Sequence, residues 1–514
     1  MPPTYNTPGV YIEEQGAFPN SVVAVETAVP VFIGYTEKAI GNNHSLLYKP
    51  TKISTYTEYL ELFGAGFCAK FSVVDPGKDN DLTVYSIDGK NKIVAIDDNN
   101  TLYFHSAIKL FFENGGGNCY ILSIGLYEDV IVNDISLKDF EATTERPETV
   151  WDILKKELEP TLVVVPDFIA LGVASYPLYI DVLKHCADTQ SRFGIFDLAK
   201  QKSNEVTDDN VLPFRTAIGI NYLNYGAAYY PWLKTTIIQA EEVDYKNLGG
   251  FVESLKILPQ PDPNSTDKNH EGNNISNLVK QVFKTPGIVF NEGFTEESFH
   301  QSLLKISPTY ATILKEIRTQ LNELPPSAAI AGVYSIVDGN RGVWKAPANI
   351  SLNQVSAATV NITHDQQESL NVDAISGKSI NVIRDFNGLG TIVWGARTLD
   401  GNSQDWRYIN IRRTLIMIEQ SLKLATRAYV FEPNDANTWA TVTSMMNNFL
   451  TNLWKQGALA GATPDQAFNV QVGLGTTMTA NDILDGYMVV SVRLALARPA
   501  EFIVITFQQQ MQQS

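Results

Sequence analysis

The sequence of 514 residues contains little cysteine, a minority of basic residues and no long apolar run. Its three cysteines, Cys68, Cys119 and Cys186, have no CxxC spacing, which argues against zinc or redox motifs and predicts buried thiols in a reducing compartment. Lys and Arg number 39 against 56 Asp and Glu, and this net charge of −17 disfavours nucleic acid as a partner. Because no stretch reaches the roughly 18 apolar residues of a membrane span, direct membrane insertion is not expected.

Signatures of catalysis and of cofactor binding are also missing. The six histidines form no i, i+4 pair and no HExxH motif, so no metal site is expected. The glycines of NGGGN at 114–118 follow a predicted helix and precede a strand, which is the reverse of the order in a phosphate-binding loop. GLGTT at 473–477 lacks the GK[ST] ending of a P-loop, and no GxSxG elbow occurs. We therefore predict no enzyme activity and no cofactor.

The two ends of the chain each carry a short β-type run without a neighbouring hairpin partner. Near the N-terminus the run is Val10, Tyr11 and Ile12, between turns rich in Pro and Gly. Near the C-terminus a strand is predicted over 501–507, with Phe502, Val504 and Thr506 on alternate positions, followed by a polar tail. Such strands need an edge supplied from elsewhere. The N-terminus has no basic or apolar region of signal-peptide type, so assembly in the cytoplasm is expected.

Between these ends the pattern predicts an α/β (α+β) protein with several parts. Helix and strand signals alternate through 101–240, the rhythm of a mostly parallel α/β layer. The segment 68–100 looks like an inserted hairpin around Asp88-Gly89. The rhythm is lost over 241–325, which contains a loop-like stretch at 259–274 and is interpreted as a second insertion. Long helices are predicted at 405–428 and 435–456.

Charge and aromatic residues are distributed unevenly in the last third. Residues 410–428 carry four basic side chains against Glu419 alone: Arg412, Arg413, Lys423 and Arg427. This pattern fits either a solvated helix face or a surface for an acidic partner. Trp, Gly and Arg also concentrate here, at Trp344, Trp394, Arg397 and Trp406, which is typical of tight core packing.

At this point the sequence resembles a known family, the tail sheath proteins of contractile phages, R-type pyocins and extracellular contractile injection systems. The matching segments occur in family order from end to end: PGVYIEE at 8–14, FFENGGGNCYIL at 111–122, VVVPD at 163–167, YGAAYYPWL at 225–233, AGVYSIVDGNRGVWKAPAN at 331–349, GLGTIVWGARTL at 388–399, WRYINIRR at 406–413, VFEPND at 430–435 and RPAEFIVI at 498–505.

The resemblance implies a structural subunit that polymerises around an inner tube and contracts to drive the tube through a target envelope. It implies an inner core from 21–67 and 326–500, a middle domain at 101–240, outer insertions at 68–100 and 241–325, and strand-exchange arms at 1–20 and 501–514. Implied partners are further copies in hexameric rings, the tube, baseplate and cap proteins, and sister sheath proteins. The particle would be released from the cell or anchored in it.

Three alternatives stay open on the sequence. The apparatus could be a contractile phage tail, or a type VI secretion machine, although a single chain with both arms disfavours the latter. A remote alternative is an α/β hydrolase-like enzyme that uses the middle domain.

For tube contact the candidates are Lys455, Arg412, Arg413, Lys423 and Arg427, because weak, screenable charge pairs could release on contraction. For Arg412 and Arg413 the competing interpretation is bonding within the subunit, against the WGARTL segment at 394–399.

Overall fold

The computed structural model describes residues 22–77, 82–87, 89–97, 101–200, 208–285, 289–373 and 375–504. These residues form two compact units. The terminal unit contains residues 22–25 and Thr414–Arg498, and the main unit contains the described part of Glu26–Arg413 together with residues 499–504. The predicted N-terminal strand at Val10, Tyr11 and Ile12 lies outside the described residues, as does Thr506.

Within the described residues the strands are β1 (Pro30–Thr36), β2 (Ile40–Gly41), β3 (His44–Ser45), β4 (Thr51–Ile53), β5 (Phe71–Val74), β6 (Val84–Ile87), β7 (Lys90–Ile96), β8 (Cys119–Leu126), β9 (Leu162–Val164), β10 (Phe193–Asp197), β11 (Gly226–Tyr230), β12 (Leu233–Thr235), β13 (Phe283–Thr285), β14 (Val289–Phe290), β15 (Glu323–Leu324), β16 (Ile350–Ser351), β17 (Val355–Ala358), β18 (Asn381–Phe386), β19 (Gly390–Val393), β20 (Phe468–Val472) and β21 (Val490–Leu494).

The α-helices are α1 (Tyr56–Phe63), α2 (Phe104–Glu113), α3 (Tyr127–Asn133), α4 (Val150–Lys156), α5 (Tyr176–Thr189), α6 (Asp208–Ala217), α7 (Phe251–Ile257), α8 (Glu271–Val282), α9 (Glu296–Ile306), α10 (Pro308–Leu321), α11 (Ser327–Arg341), α12 (His364–Asn371), α13 (Ile409–Thr426), α14 (Ala436–Lys455), α15 (Pro464–Ala467) and α16 (Ala480–Leu484).

The centre of the main unit is a nine-stranded sheet in the order β16-β19-β18-β11-β10-β9-β1-β8-β4. Its six middle strands, from β18 to β8, are parallel, and the strands at both edges are antiparallel. The prediction of a mixed α/β fold with a mostly parallel layer is therefore confirmed. The sheet crosses the predicted domain boundaries, because it joins strands from 30–53, 119–230 and 350–393. Parallel strands are joined by long connections, so the strands that pair are far apart in the sequence. Domain boundaries drawn along the sequence therefore could not show that these strands share one sheet.

Helices cover both faces of this central sheet. Ile195 lies in the core that α2 and α11 share, whereas its neighbour Phe196 packs against Tyr179 of α5, with ring centroids 4.7 Å apart. Since successive side chains of a strand point to opposite faces, α5 lies on the face opposite α2 and α11. Buried carboxylates at the carboxyl ends of two parallel strands cap these helices: Asp167 accepts from Phe104 N–H (2.8 Å) and Asp197 from Ser327 N–H (2.8 Å). Burial raises the pKa of both to about 7.

The two segments predicted as separate insertions pack on each other. The hairpin β6–β7 closes at Ile87 and Lys90, as the Asp88-Gly89 pair predicted, and β5 completes a three-stranded sheet. Its side chains Phe71 and Val94 share one hydrophobic core with Phe251, Phe299 and others of 241–325. Residues 241–325, where the alternation of helix and strand signals was lost, contain the helices α7 to α10. Within this segment, residues 261–264 and 266–269 are exposed loop. We call the combined body, residues 68–97 and 241–325, the lobe.

The terminal unit is built on two helices and a two-stranded sheet. Helix α14 lies close to the predicted bounds, and Asp435 caps it by accepting from Asn437 and Thr438 N–H, both at 3.0 Å. Its apolar stripe is buried: Val442, Met445, Met446, Phe449, Leu450 and Leu453. That stripe gives the unit a core of its own.

Of the three cysteines, Cys119 and Cys186 are buried as predicted, and burial raises the pKa of the Cys186 thiol to about 12. Cys68 is exposed, contrary to the prediction, because it lies in the irregular segment between α1 and β5.

Candidate assembly interface

The terminal unit presents a sheet of only two strands. β20 and β21 pair antiparallel, from Phe468 opposite Leu494 to Val472 opposite Val490. Within the described residues neither strand has a second partner, so each keeps one edge of free N–H and C=O groups. Most side chains of both strands are only half-buried. A two-stranded sheet with incompletely covered faces is marginal in water and is suited to accept further strands.

The described part of the C-terminal segment, residues 501–504, is a second candidate contact surface. Residues 501–504 form no strand within the chain, although a strand was predicted over 501–507, and residues 505–514 lie outside the described residues. Phe502, Ile503 and Val504 are 72%, 80% and 88% exposed. Three consecutive exposed apolar side chains are an unfavourable arrangement for a monomer and indicate a contact surface.

Glu501 itself is held firmly. Arg397 donates from Nε to Oε1 (3.0 Å) and from Nη2 to Oε2 (2.6 Å), so the guanidinium binds the carboxylate through two nitrogens. Asn371 Nδ2 donates to Oε1 (2.9 Å), and the Tyr408 hydroxyl donates to Oε2 (3.1 Å). Burial opposes the charged form of Glu501, but the hydrogen bonds from Arg397, Asn371 and Tyr408 outweigh it and lower its pKa.

Arg412 and Arg413, predicted as tube-facing candidates, are 5% and 4% exposed. Arg413 Nη2 lies 2.6 Å from Asp338 Oδ2, and its guanidinium stacks on Tyr334 at 4.4 Å. Arg412 donates to the Tyr225 hydroxyl and lies over that ring at 4.0 Å. The tube-facing prediction is therefore wrong for these two residues, which bond within the subunit. Their partners are on α11, at Tyr225 and at Trp406 rather than in the 394–399 segment.

The other three candidates lie on the surface of the terminal unit. Lys423 and Arg427 are exposed near the end of α13, and Lys455 is exposed as the last residue of α14. None of the three has a carboxylate within 4 Å among the described residues. They are the basic candidates that stay available for a partner.

The predicted packing residues differ in their surroundings. Trp344 and Trp406 are half-buried, and the backbone carbonyl of Trp344 accepts from Asn410 Nδ2 (2.9 Å). Trp394 is 41% exposed and lies against Phe386, so it does not belong to the core as predicted. It follows directly after Val393, the last residue of β19.

Sequence reasoning missed the carboxylates that hold the two buried arginines. Asp338 pairs with Arg413 and Glu501 with Arg397, across 75 and 104 residues of sequence. A signal was present, because an arginine inside an apolar, glycine-rich segment needs a carboxylate if it is buried. Which carboxylate would serve was not deducible from spacing.

No helix among the described residues is long and apolar enough to cross a membrane. In the same part of the chain no three His, Cys, Asp or Glu side chains are grouped as metal ligands.

The family described as "Phage tail sheath C-terminal domain" matches residues 402–510. The helical sheath of the anti-feeding prophage (AFP) in its contracted state is 28% identical, with a TM-score of 0.57 and a match over 99% of this chain and 100% of that chain. The PVC sheath complex of an extracellular contractile injection system, also contracted, is 26% identical, with a TM-score of 0.58 over 99% of each chain.

Curated phage relatives match over shorter regions. The tail sheath protein of Vibrio phage KVP40 is 24% identical over 212 residues, 40% of this chain. That of Enterobacteria phage T4 is 22% identical over 218 residues, 41% of this chain. The matched regions span 30% and 32% of the two phage proteins, about a third of their length. The chain therefore carries a phage tail sheath C-terminal domain, and over nearly its whole length it is similar to the sheaths of contractile injection systems.

Proposed function

We propose that this chain polymerises around an inner tube as the sheath of a contractile injection machine and contracts to drive the tube through a target envelope. The observation that carries this proposal is the likeness over 99% of the chain to two contracted injection-system sheaths. Because the tail sheath proteins of phages KVP40, T4 and ViI match only 40%, 41% and 49% of the chain, an injection system is favoured over a phage tail.

Assembly would occur by strand exchange between copies. The sheet β20–β21 has two open edges, and the chain has two candidate arms, residues 1–20 and 501–514. Arms from two neighbouring copies could extend the sheet on both sides through backbone hydrogen bonds. Such a head-to-tail contact does not close on itself and generates a helical lattice.

The arms would also keep the lattice joined during contraction. Each donated strand offers about four to six backbone hydrogen bonds, each contributing about 0.5–1.5 kcal/mol net. Links of a few kcal/mol each permit the compact units to move as near-rigid bodies while neighbours stay connected. In this scheme the energy for contraction is stored when the extended sheath assembles.

The proposed partners are other copies of this chain, the inner tube, and baseplate and cap proteins, with sister sheath proteins sharing the lattice. A baseplate is suggested by the AFP baseplate structure, whose matching chain is 28% identical with a TM-score of 0.57. The proposed place of assembly is the cytoplasm, with the finished particle either released from the cell or anchored in it. The proposed role is structural and uses no catalytic residue.

The strand-exchange scheme is tested by removing each arm separately. Deletion of residues 1–19 and deletion of residues 502–514 should each leave a folded, cooperatively melting monomer that forms no tubes in negative-stain micrographs. The full-length chain, prepared in parallel, should form rings or cogwheel-shaped tubes. Regular sheaths from either truncated protein would contradict exchange of that arm, and compact particles from the full-length chain would contradict the sheath function.

A further inference from the structure

The root of the C-terminal arm carries an ionic contact that the strand-exchange scheme does not require. Glu501 is the last residue before the exposed Phe502, Ile503 and Val504. Its side chain is 21% exposed and that of Arg397 is 4% exposed. A buried ion pair often adds little to stability, because both charges lose their hydration. Stability alone therefore does not explain why this pair lies at the start of the arm.

The backbone on the Arg397 side of this contact is held by hydrogen bonds that do not involve the arm. Arg397 N–H donates to Asn381 Oδ1 (2.7 Å), and Asn381 Nδ2 donates to the Arg397 carbonyl (2.7 Å), so one buried asparagine fixes the arginine backbone from both sides. Asn371 closes α12, and Tyr408 precedes α13. Three separate segments of the main unit therefore converge on one carboxylate.

We infer that Arg397, Asn371 and Tyr408 form a clamp on Glu501 that positions the C-terminal arm for donation to a second copy of this chain. This inference rests on the proposed strand exchange and adds how the donor strand is aimed. A fixed root limits the conformations of the residues that follow. The entropy lost when the arm pairs with the neighbouring sheet is smaller as a result.

The clamp also determines where a pulling force on the donated strand would be transmitted to the subunit. Glu501 lies three residues beyond Arg498, where the chain passes from the terminal unit to the main unit. A pull on the donated strand therefore reaches the main unit at Arg397 and its partners. Bidentate Arg–carboxylate contacts are directional as well as strong, which suits this position.

The test compares two variants with the same chemical change in the full-length chain. Glu501→Gln removes the charge from the clamp, and Asp338→Asn makes the matched change in the buried Arg413–Asp338 pair, which lies away from the arm. Hydrogen exchange of residues 499–504 in the monomer, monomer melting temperature and the protein concentration needed for sheath formation are measured for both.

We expect Glu501→Gln to speed exchange in 499–504 and to raise the concentration needed for sheaths roughly tenfold, at a nearly unchanged melting temperature. Arg397→Lys, which keeps the charge but loses the two-nitrogen contact, should give an intermediate effect. Asp338→Asn should lower the melting temperature and leave exchange in 499–504 unchanged. If Glu501→Gln instead destabilises the monomer as Asp338→Asn does, or assembles at the wild-type concentration, the inference is wrong.

Deletion of residues 502–514 separates this failure from failure of the proposed function. Sheaths formed by the truncated chain would refute arm donation, and the clamp with it. No sheaths from the truncated chain, together with normal assembly of Glu501→Gln, would refute the clamp alone.

Discussion

At the scale of single residues, Arg413 illustrates how a charged side chain in a basic run can be internal. Its guanidinium binds Asp338 through two nitrogens, at 3.0 and 2.6 Å, and Thr27 Oγ1 donates to the same carboxylate at 2.6 Å. The side chains of the pair are 3% and 5% exposed. A charge count along the sequence cannot distinguish this arrangement from a solvated helix face, because the partner lies 75 residues away.

Removing the Asp338 carboxylate should leave the Arg413 charge buried and unpaired. We expect Asp338→Ala to lower the free energy of unfolding by about 3 kcal/mol, measured by urea denaturation of the monomer. The control is Glu253→Ala, which breaks the Lys256–Glu253 pair with side chains 64% and 53% exposed. That change should be within about 1 kcal/mol of wild type. Equal effects of the two substitutions would contradict the account.

The Glu501 contact should depend on pH. Because its native pKa lies below the ordinary value of 4.5, the contact stabilises the arm root above pH 4.5 and is lost as pH falls through the native pKa. Hydrogen exchange in 499–504, corrected for intrinsic rates, should therefore be slower at neutral pH than below about pH 4.5. In Glu501→Gln the exchange should show no such step. A step of equal size in that variant would assign the transition to another group.

At the scale of elements, helix α11 shows where glycine is required and where it is not. A Cβ on Gly332 would lie 2.7 Å from the Phe111 carbonyl oxygen and 2.9 Å from that of Asn114, both backbone atoms at the end of α2. A Cβ on Gly339, in the same helix, would meet nothing within 4 Å. The close approach of α2 and α11 therefore depends on one glycine of the pair.

Substituting these two glycines gives changes of opposite sign. Gly332→Ala should lower the free energy of unfolding by about 1–3 kcal/mol, because the helices must separate or shift. Gly339→Ala should raise it by about 0.5–1 kcal/mol, because alanine is the better helix former at an open position. Urea denaturation of both variants measures the difference. Destabilisation by Gly339→Ala would mean that its helix position is constrained by something besides space.

Elements with strong local signals were predictable from the sequence. Helix α14 differs from its predicted bounds by one residue at each end, and α1 is followed by Gly64 with φ +87°, a conformation that favours glycine. The strand predicted over 501–507 could not be recovered from residues 501–504 of one chain, because its hydrogen-bonding partner would be another copy. The helices of 241–325 were missed, since their short amphipathic patterns are separated by polar loops.

At the scale of the whole molecule, the lobe joins two segments that are separated by more than a hundred residues. Their shared hydrophobic core could not be predicted from the sequence pattern of either segment alone. Its loop around Asn269 is exposed, and backbone in such a loop tolerates insertions. We expect an epitope tag placed after Asn269 to leave assembly intact and to bind antibody on finished sheaths. A tag that blocks tube formation would indicate that this loop lies in a contact between subunits.

In the proposed function, a contact with the inner tube must hold the extended sheath and yet release on contraction, which favours charge pairs that solvent can screen. With Arg412 and Arg413 buried, Lys455 at the end of α14 is the strongest candidate, and Lys423 and Arg427 are the others. Lys455→Glu should reduce co-sedimentation of sheath with tube, more strongly at low salt, at an unchanged monomer melting temperature. Lys268→Glu makes the same charge change on the exposed lobe loop and should retain the tube normally. Equal tube retention by both variants would remove Lys455 from the tube contact, because a charge reversal within that contact cannot be silent at low ionic strength.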